Sequence, residues 1–263
     1  MKTFATRYPF LFAVAVTLGG LLCLLVPFWL PGLPLAAQLL LGRAAICVLA
    51  AGLLTRLGWW REAGFARPAS WRILLPYLPL ILVVLLVVVT AVGGAGIQVT
   101  DPALILLGLV VYLAGGFFEE AIFRGLTLRA LRPGGLVRAA ILSALIFAPT
   151  HLLNMTQGAD PGATALQVVV ALLAGFAFVA PLAYTGNIWP LVFVHFLNNF
   201  AGYLAKGTFA ETKSPTISDI LGNVIIFGLL AVYGYWLLRR AQRMPGRLAS
   251  SRTEPAPVTE GTD

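Results

Sequence analysis

Apolar stretches long enough to cross a bilayer recur along almost the whole chain, and this repeated demand for lipid constrains the fold more than any other feature. A helix needs about 20 consecutive apolar residues to traverse the hydrocarbon core. Such stretches fall at 8–30, 35–57, 73–97, 103–131, 136–153, 163–184, 187–205 and 217–238. Backbone groups in lipid have no water to bond, so each stretch must close its own hydrogen bonds as a helix. The expected fold is therefore all-α, a polytopic membrane bundle of eight transmembrane helices. Only 11% of the 263 residues are charged, against about 25% in soluble domains, which leaves little chain for a soluble domain.

The breaks between stretches follow from local chemistry. Pro31-Gly32, Pro133-Gly134-Gly135 and Gly158 to Gly162 end one helix and reverse the chain. The polar run Gln98 to Pro102 and the segment from Lys206 to Ser218 do the same. The 187–205 stretch is the weakest on hydropathy, because it holds His195, Asn198 and Asn199.

A net charge of +8 suggests nucleic acid at first sight. The basic residues instead sit in short clusters between apolar stretches. Lys2 and Arg7 precede the first. Arg56, Arg61, Arg67 and Arg72 lie between the second and third, and Arg129, Arg132 and Arg138 between the fourth and fifth. Arg239, Arg240, Arg243, Arg247 and Arg252 follow the last. Eight spans with both termini in the cytoplasm put every cluster on one side, as the positive-inside bias requires. No nucleic-acid partner is expected; the surrounding partners are membrane lipids. Arg43 is the exception within the second span, and snorkelling of its head toward the interface is the expectation. Cys23 and Cys47 lie in apolar stretches without metal-type spacing and read as small buried hydrophobes.

Ionisable groups at membrane depth are costly, and their presence points to function. Glu119, Glu120 and Arg124 interrupt the fourth span, and His151 ends the fifth. His195 and Asn199 lie in the seventh, so both histidines of the chain fall inside predicted spans. Counting about 1.5 Å per residue from the cytoplasmic turns brings all three sets to a similar depth. Glu120 and Arg124 are four residues apart and share a helix face, which predicts a local ion pair. Glu119 points about 100° away and is left for another partner. Gly115 and Gly116 offer a close approach to a neighbouring helix or a substrate backbone. A carboxylate and a histidine on facing helices can activate one water. A second histidine with an asparagine can hold the oxyanion of a tetrahedral intermediate.

EExxxR (Glu119 to Arg124), FxxxH (Phe147 to His151) and HxxxN (His195 to Asn199), in this order on successive apolar spans, resemble the CPBP family of CAAX prenyl endopeptidases and Abi intramembrane proteases. The resemblance covers residues 75–205. It implies a catalytic role for Glu119, with His151 helping to activate the water, His195 and Asn199 holding the oxyanion, and Glu120 and Arg124 in support. It also implies a peptide or membrane-protein substrate, prenylated in the family's CAAX-processing members, and a bacterial plasma membrane as the location. Both metal-dependent and metal-free mechanisms are known ideas for the family, and HExxH is absent here. Zinc is thus left open as a cofactor, with Glu119, His151 and His195 as its ligands if bound. The resulting division is two N-terminal spans and a basic loop (1–72), an intramembrane protease core (73–238) and a disordered cytoplasmic tail (239–263). A proton-coupled transporter and a non-catalytic immunity or scaffold protein are the rival readings; the first should show repeat symmetry in both halves.

Overall fold

A computed structural model describes residues 1–68, 70–209 and 212–243. Every regular element among them is helical. Eight long helices are labelled here α1 (Pro9–Leu25), α2 (Leu35–Leu57), α3 (Leu78–Thr90), α4 (Pro102–Glu119), α5 (Leu136–Phe147), α6 (Pro161–Thr185), α7 (Trp189–Lys206) and α8 (Ile217–Gln242). Short 3-10 and π segments extend several of them, so that seven apolar stretches among the described residues are long enough to cross a membrane. The helix outside that set is α7. It reaches 18 residues, but its histidine and two asparagines lower its hydropathy. The part of the predicted tail beyond Arg243 lies outside the described residues.

Local sequence sets the helix ends. Asp101 accepts the amide of Ala103 at the start of α4, and Asp160 accepts that of Ala163 at the start of α6. Pro102 and Pro161 follow at the first turn, where no amide donor is lost. Thr216 and Asp219 form a reciprocal capping box on α8. Gly58, Gly186 and Gly207 close α2, α6 and α7 with positive φ, a conformation open to glycine without a Cβ penalty.

Hydrogen bonds between loops fix which helix ends meet. At one end, Ile188 donates its amide to Gly64 and the Asn187 side chain donates to the carbonyl of Ala66. Arg129 pairs with Glu62 in the same region, and the Tyr77 hydroxyl donates to the carbonyl of Asn187. At the other end, Gln98 donates its amide to Leu204 and Ser214 donates its hydroxyl to Asp160. Alternate connections therefore lie at opposite ends, as the charge pattern predicts. The basic loops share the first end.

The outside of the bundle is apolar. Val48, Val89 and Val232 are each about two-thirds exposed or more, far from what a monomer in water tolerates as contiguous surface. The chain is an integral membrane protein. Inside, two apolar clusters share the packing. One centres on α3, α5, α6 and α8, and the other on α1, α2 and the segment around Ile122. Close helix contact rests on glycine. A Cβ on Gly116 would stand 2.6 Å from the carbonyl oxygen of Val192, and one on Gly108 would stand 2.3 Å from the Tyr203 ring. The α4–α7 approach thus depends on both, and it carries the fourth span's carboxylates to the seventh span's histidine. Gly115, by contrast, faces nothing within 4 Å.

Candidate active site

The helix geometry changes where the polar residues occur. α4 ends as regular α-helix at Glu119, and Glu120–Thr127 continues as a π-helix. A π turn inserts an extra residue into the helical register and is found most often at functional sites. Its looser backbone is tied to α5, where the Ser143 hydroxyl donates to the carbonyl of Phe123 at 2.8 Å. α5 stops at Phe147, and Ala148–Gln157 winds on as 3-10 helix with Pro149 in its first turn. His151 sits in this tighter segment.

Glu120 and Arg124 form the expected ion pair. The Arg124 Nη1 to Glu120 Oε1 distance is 3.1 Å, and both side chains are fully buried. The guanidinium is also held between two rings, 4.6 Å from the Phe147 centroid and 5.3 Å from that of Phe178. Phe147 belongs to the FxxxH motif, so one ring links the first two motifs. Phe178 carries no motif, and nothing in its apolar surroundings in the sequence distinguishes it.

The His195 ring lies between the two adjacent carboxylates. Its Nδ1 lies 2.9 Å from Glu120 Oε1, and its Nε2 lies 3.4 Å from Glu119 Oε2. Glu120 therefore serves both Arg124 and His195, beyond the support for Arg124 that spacing alone suggests. The imidazole bridges the two adjacent carboxylates because Gly116 brings α7 against α4. Nδ1 donates to Glu120. The approach of Nε2 to Glu119 is attractive only with a proton on one of those two atoms.

The Asn198 side-chain amide donates to Asn199 Oδ1 at 3.1 Å, within its own helix. With its oxygen engaged, Asn199 has its own amide hydrogens left to offer. His151 packs edge-on against Phe147, and its Nδ1 is buried without a hydrogen-bond partner.

Two cavities meet at these residues. The first, of about 130 Å³, is lined by Arg124, His151, His195, Asn198 and Asn199 with apolar walls from α3, α6 and α8. The second, of about 100 Å³, is lined by Glu119, His151, Thr150 and Arg43 with apolar walls from α1 and α2. His151 borders both. Glu119, Glu120, Arg124, His151, His195 and Asn199 thus gather in one buried region, each on the wall of a cavity or bonded to a residue that is. Arg43 does not snorkel. Its Nε is buried, and it turns into the second cavity.

A structural or catalytic zinc ion takes three or four protein donors. Among the described residues no three His, Cys, Asp or Glu side chains converge as a metal-binding group, Glu119, His151 and His195 included. The donor set does not fit zinc, and no step below passes through a metal.

Residues 101–201 match the family model described as type II CAAX prenyl endopeptidase Rce1-like. No curated protein and no solved structure matches the chain. The matched stretch opens at the cap of α4 and closes inside α7, so it spans all three motifs but not Arg43 on the second cavity's wall. The match agrees with the resemblance to CAAX-type endopeptidases that the three motifs carry.

Proposed function

We propose that the chain is an intramembrane endopeptidase in which Glu119 activates water and His195 with Asn199 binds the oxyanion. The observation that carries this reading is the series at the junction of two cavities in which Arg124 and His195 both hydrogen-bond Glu120 and His195 Nε2 stands 3.4 Å from Glu119. Peptide hydrolysis needs a base for water, donors for the developing oxyanion and an acid for the leaving amine. Glu119 stands on the second cavity beside His151, whose unpartnered Nδ1 is available to the same water. Water gives its proton to Glu119 and attacks the carbonyl carbon. His195, held through Nδ1 by Glu120, then offers Nε2–H to the carbonyl oxygen as it gains charge, and the Asn199 amide offers a second donor. Collapse of the intermediate breaks the C–N bond, and the proton taken by Glu119 passes to the amine.

Arg124 acts at one remove. It neutralises Glu120, which holds the imidazole in orientation, and its two aromatic partners keep water away from the pair. Removing any member of such a series disturbs the rest.

The experiment is cleavage of a fluorogenic peptide ending in a CAAX sequence by protein purified in detergent, with the cysteine prenylated or unmodified. Glu119→Gln should lower kcat by about 10²–10⁴-fold, the range expected for loss of a general base, while product binding persists. Wild-type rates from Glu119→Gln on both peptides would reject the mechanism. Comparison of the two peptides decides whether prenylation belongs to the substrate. Activity should survive a chelator, and metal analysis of the active sample should find no stoichiometric zinc.

A further inference from the structure

Arg43 is a cation inside the bundle that the reaction above does not use. It stands on α2, and its Nε is buried with no hydrogen-bond partner. No hydrogen bond or ion pair from its guanidinium occurs among the described residues, although the Glu119 carboxylate is near enough to act on it electrostatically. An arginine at membrane depth normally finds an anion or the interface. This one instead faces a cavity of about 100 Å³ whose far wall is Glu119 and His151.

The position along the helices gives its distance from the chemistry. Cys47 Sγ approaches the carbonyl oxygen of Ala114 at 3.8 Å, which sets α2 against α4. The helices run in the same direction, since the ends of both that precede these residues lie away from the basic loops. Arg43 comes one turn before Cys47, and Ala114 five residues before Glu119. The Cα of Arg43 is thus separated from that of Glu119 by roughly 13 Å along the axis, at about 1.5 Å per residue.

We propose that Arg43 binds the C-terminal carboxylate of the peptide substrate and so sets how far from the chain end the bond is cut. This deepens the endopeptidase reading and rests on it. A CAAX end places its carboxylate three residues beyond the cysteine. Three extended residues span about 10 Å, comparable with the roughly 13 Å axial offset between Arg43 and Glu119 at about 1.5 Å per residue. A guanidinium offers a planar pair of donors that fits a carboxylate. The second cavity, partly open to its surroundings, then takes the carboxylate end of the leaving tripeptide, and the first, with its walls from α3, α6 and α8, receives the residues before the cut. Glu119 is the acidic residue on the second cavity's wall and Arg43 the fixed cation there, so Arg43 is the residue suited to an anion.

The test compares one peptide with a free C-terminal carboxylate and the same peptide as its C-terminal amide. In the wild type, kcat/KM should favour the acid by about 10- to 100-fold, the strength of a buried charge-assisted hydrogen bond, with most of the difference in KM. In Arg43→Gln the acid-to-amide ratio should fall toward one, and Arg43→Lys should keep an intermediate ratio. A wild-type ratio near one, or an undiminished ratio in Arg43→Gln, overturns the proposal. If Arg43 served only to balance Glu119, acid and amide would fall together and the ratio would stand, which also overturns it.

A binding arm separates failure of this proposal from failure of the activity. A dansylated apolar tripeptide acid should bind wild-type protein at least 10-fold more tightly than its amide, with the preference lost in Arg43→Gln. If the wild type cleaves neither peptide, the endopeptidase reading fails and this measurement still decides the role of Arg43. Equal binding of acid and amide would then count against it.

Discussion

At the scale of single residues, the site is a competition for protons and charges in a buried space of low dielectric. Glu120 is fully buried and holds two donors at one oxygen, Arg124 and His195. Arg124→Ala removes the charge partner while the carboxylate stays buried. Loss of one member of a buried pair costs about 3–5 kcal/mol, so the variant should unfold at a markedly lower temperature in detergent, read by thermal melting. Arg124→Lys keeps the charge but not the flat surface between Phe147 and Phe178, and should fall between the two. Asn198→Ala is a subtler case. It frees Asn199 Oδ1, so the side chain loses orientation without losing its donors. kcat should drop with KM little changed, and Asn198→Gln should not restore it because the longer side chain misplaces the amide. Spacing in the sequence exposes the Glu120–Arg124 pair directly, since i and i+4 share a face. Contacts between different helices leave no such trace, and the bridging of Glu119 and Glu120 by His195 is one of them. Arg43 shows the same limit from the other side, because hydropathy places it in a span but does not say which way it faces.

At the scale of the element, backbone irregularity decides where those side chains point. The apolar pattern predicts one continuous fourth span, and it is continuous in sequence, but it changes from α to π helix between the two glutamates. Periodicity reads a 3.6-residue repeat and has no means of seeing a single wide turn. The fifth span likewise tightens into 3-10 helix just before His151, with Pro149 as the visible cause. Glycine was more legible. Gly116 stands one turn from Glu119 and admits the backbone of α7, whereas its neighbour Gly115 meets nothing and carries no packing role. Gly116→Val should therefore push α7 away, separating His195 from both glutamates. Loss of activity together with a lowered melting temperature is expected, whereas Gly115→Ala should leave the stability within about 1 kcal/mol of wild type, the scale of an ordinary helix-propensity change. Equal destabilisation by the two substitutions would remove the α4–α7 contact as the device that assembles the site.

At the scale of the whole molecule, the charges in the loops and the hydrogen bonds between loops describe the same topology from independent directions. The positive clusters were legible because insertion responds to arginine and lysine in short loops. The number of spans was less so, because α7 is built for a protein interior and its polar residues weaken its apolar signal. Glu62 with Arg129 marks one end of the bundle, and Asp160 with Ser214 marks the other. These ends must lie on opposite sides of the membrane if the bundle spans it. The prediction can be read with cysteines placed at Arg61 and Thr212, both exposed, in a chain whose own Cys23 and Cys47 are replaced by alanine. A membrane-impermeant maleimide added to intact cells should label the residue at 212 and spare that at 61. Permeabilisation should then expose position 61. The reverse order would invert the orientation but keep the span, and would place the basic loops outside. Labelling of both positions in intact cells would contradict a bundle whose alternate loops are divided by the bilayer. The site's depth depends on this division, since Glu119 lies within the helix that joins the two ends and is shielded from water only while lipid surrounds both.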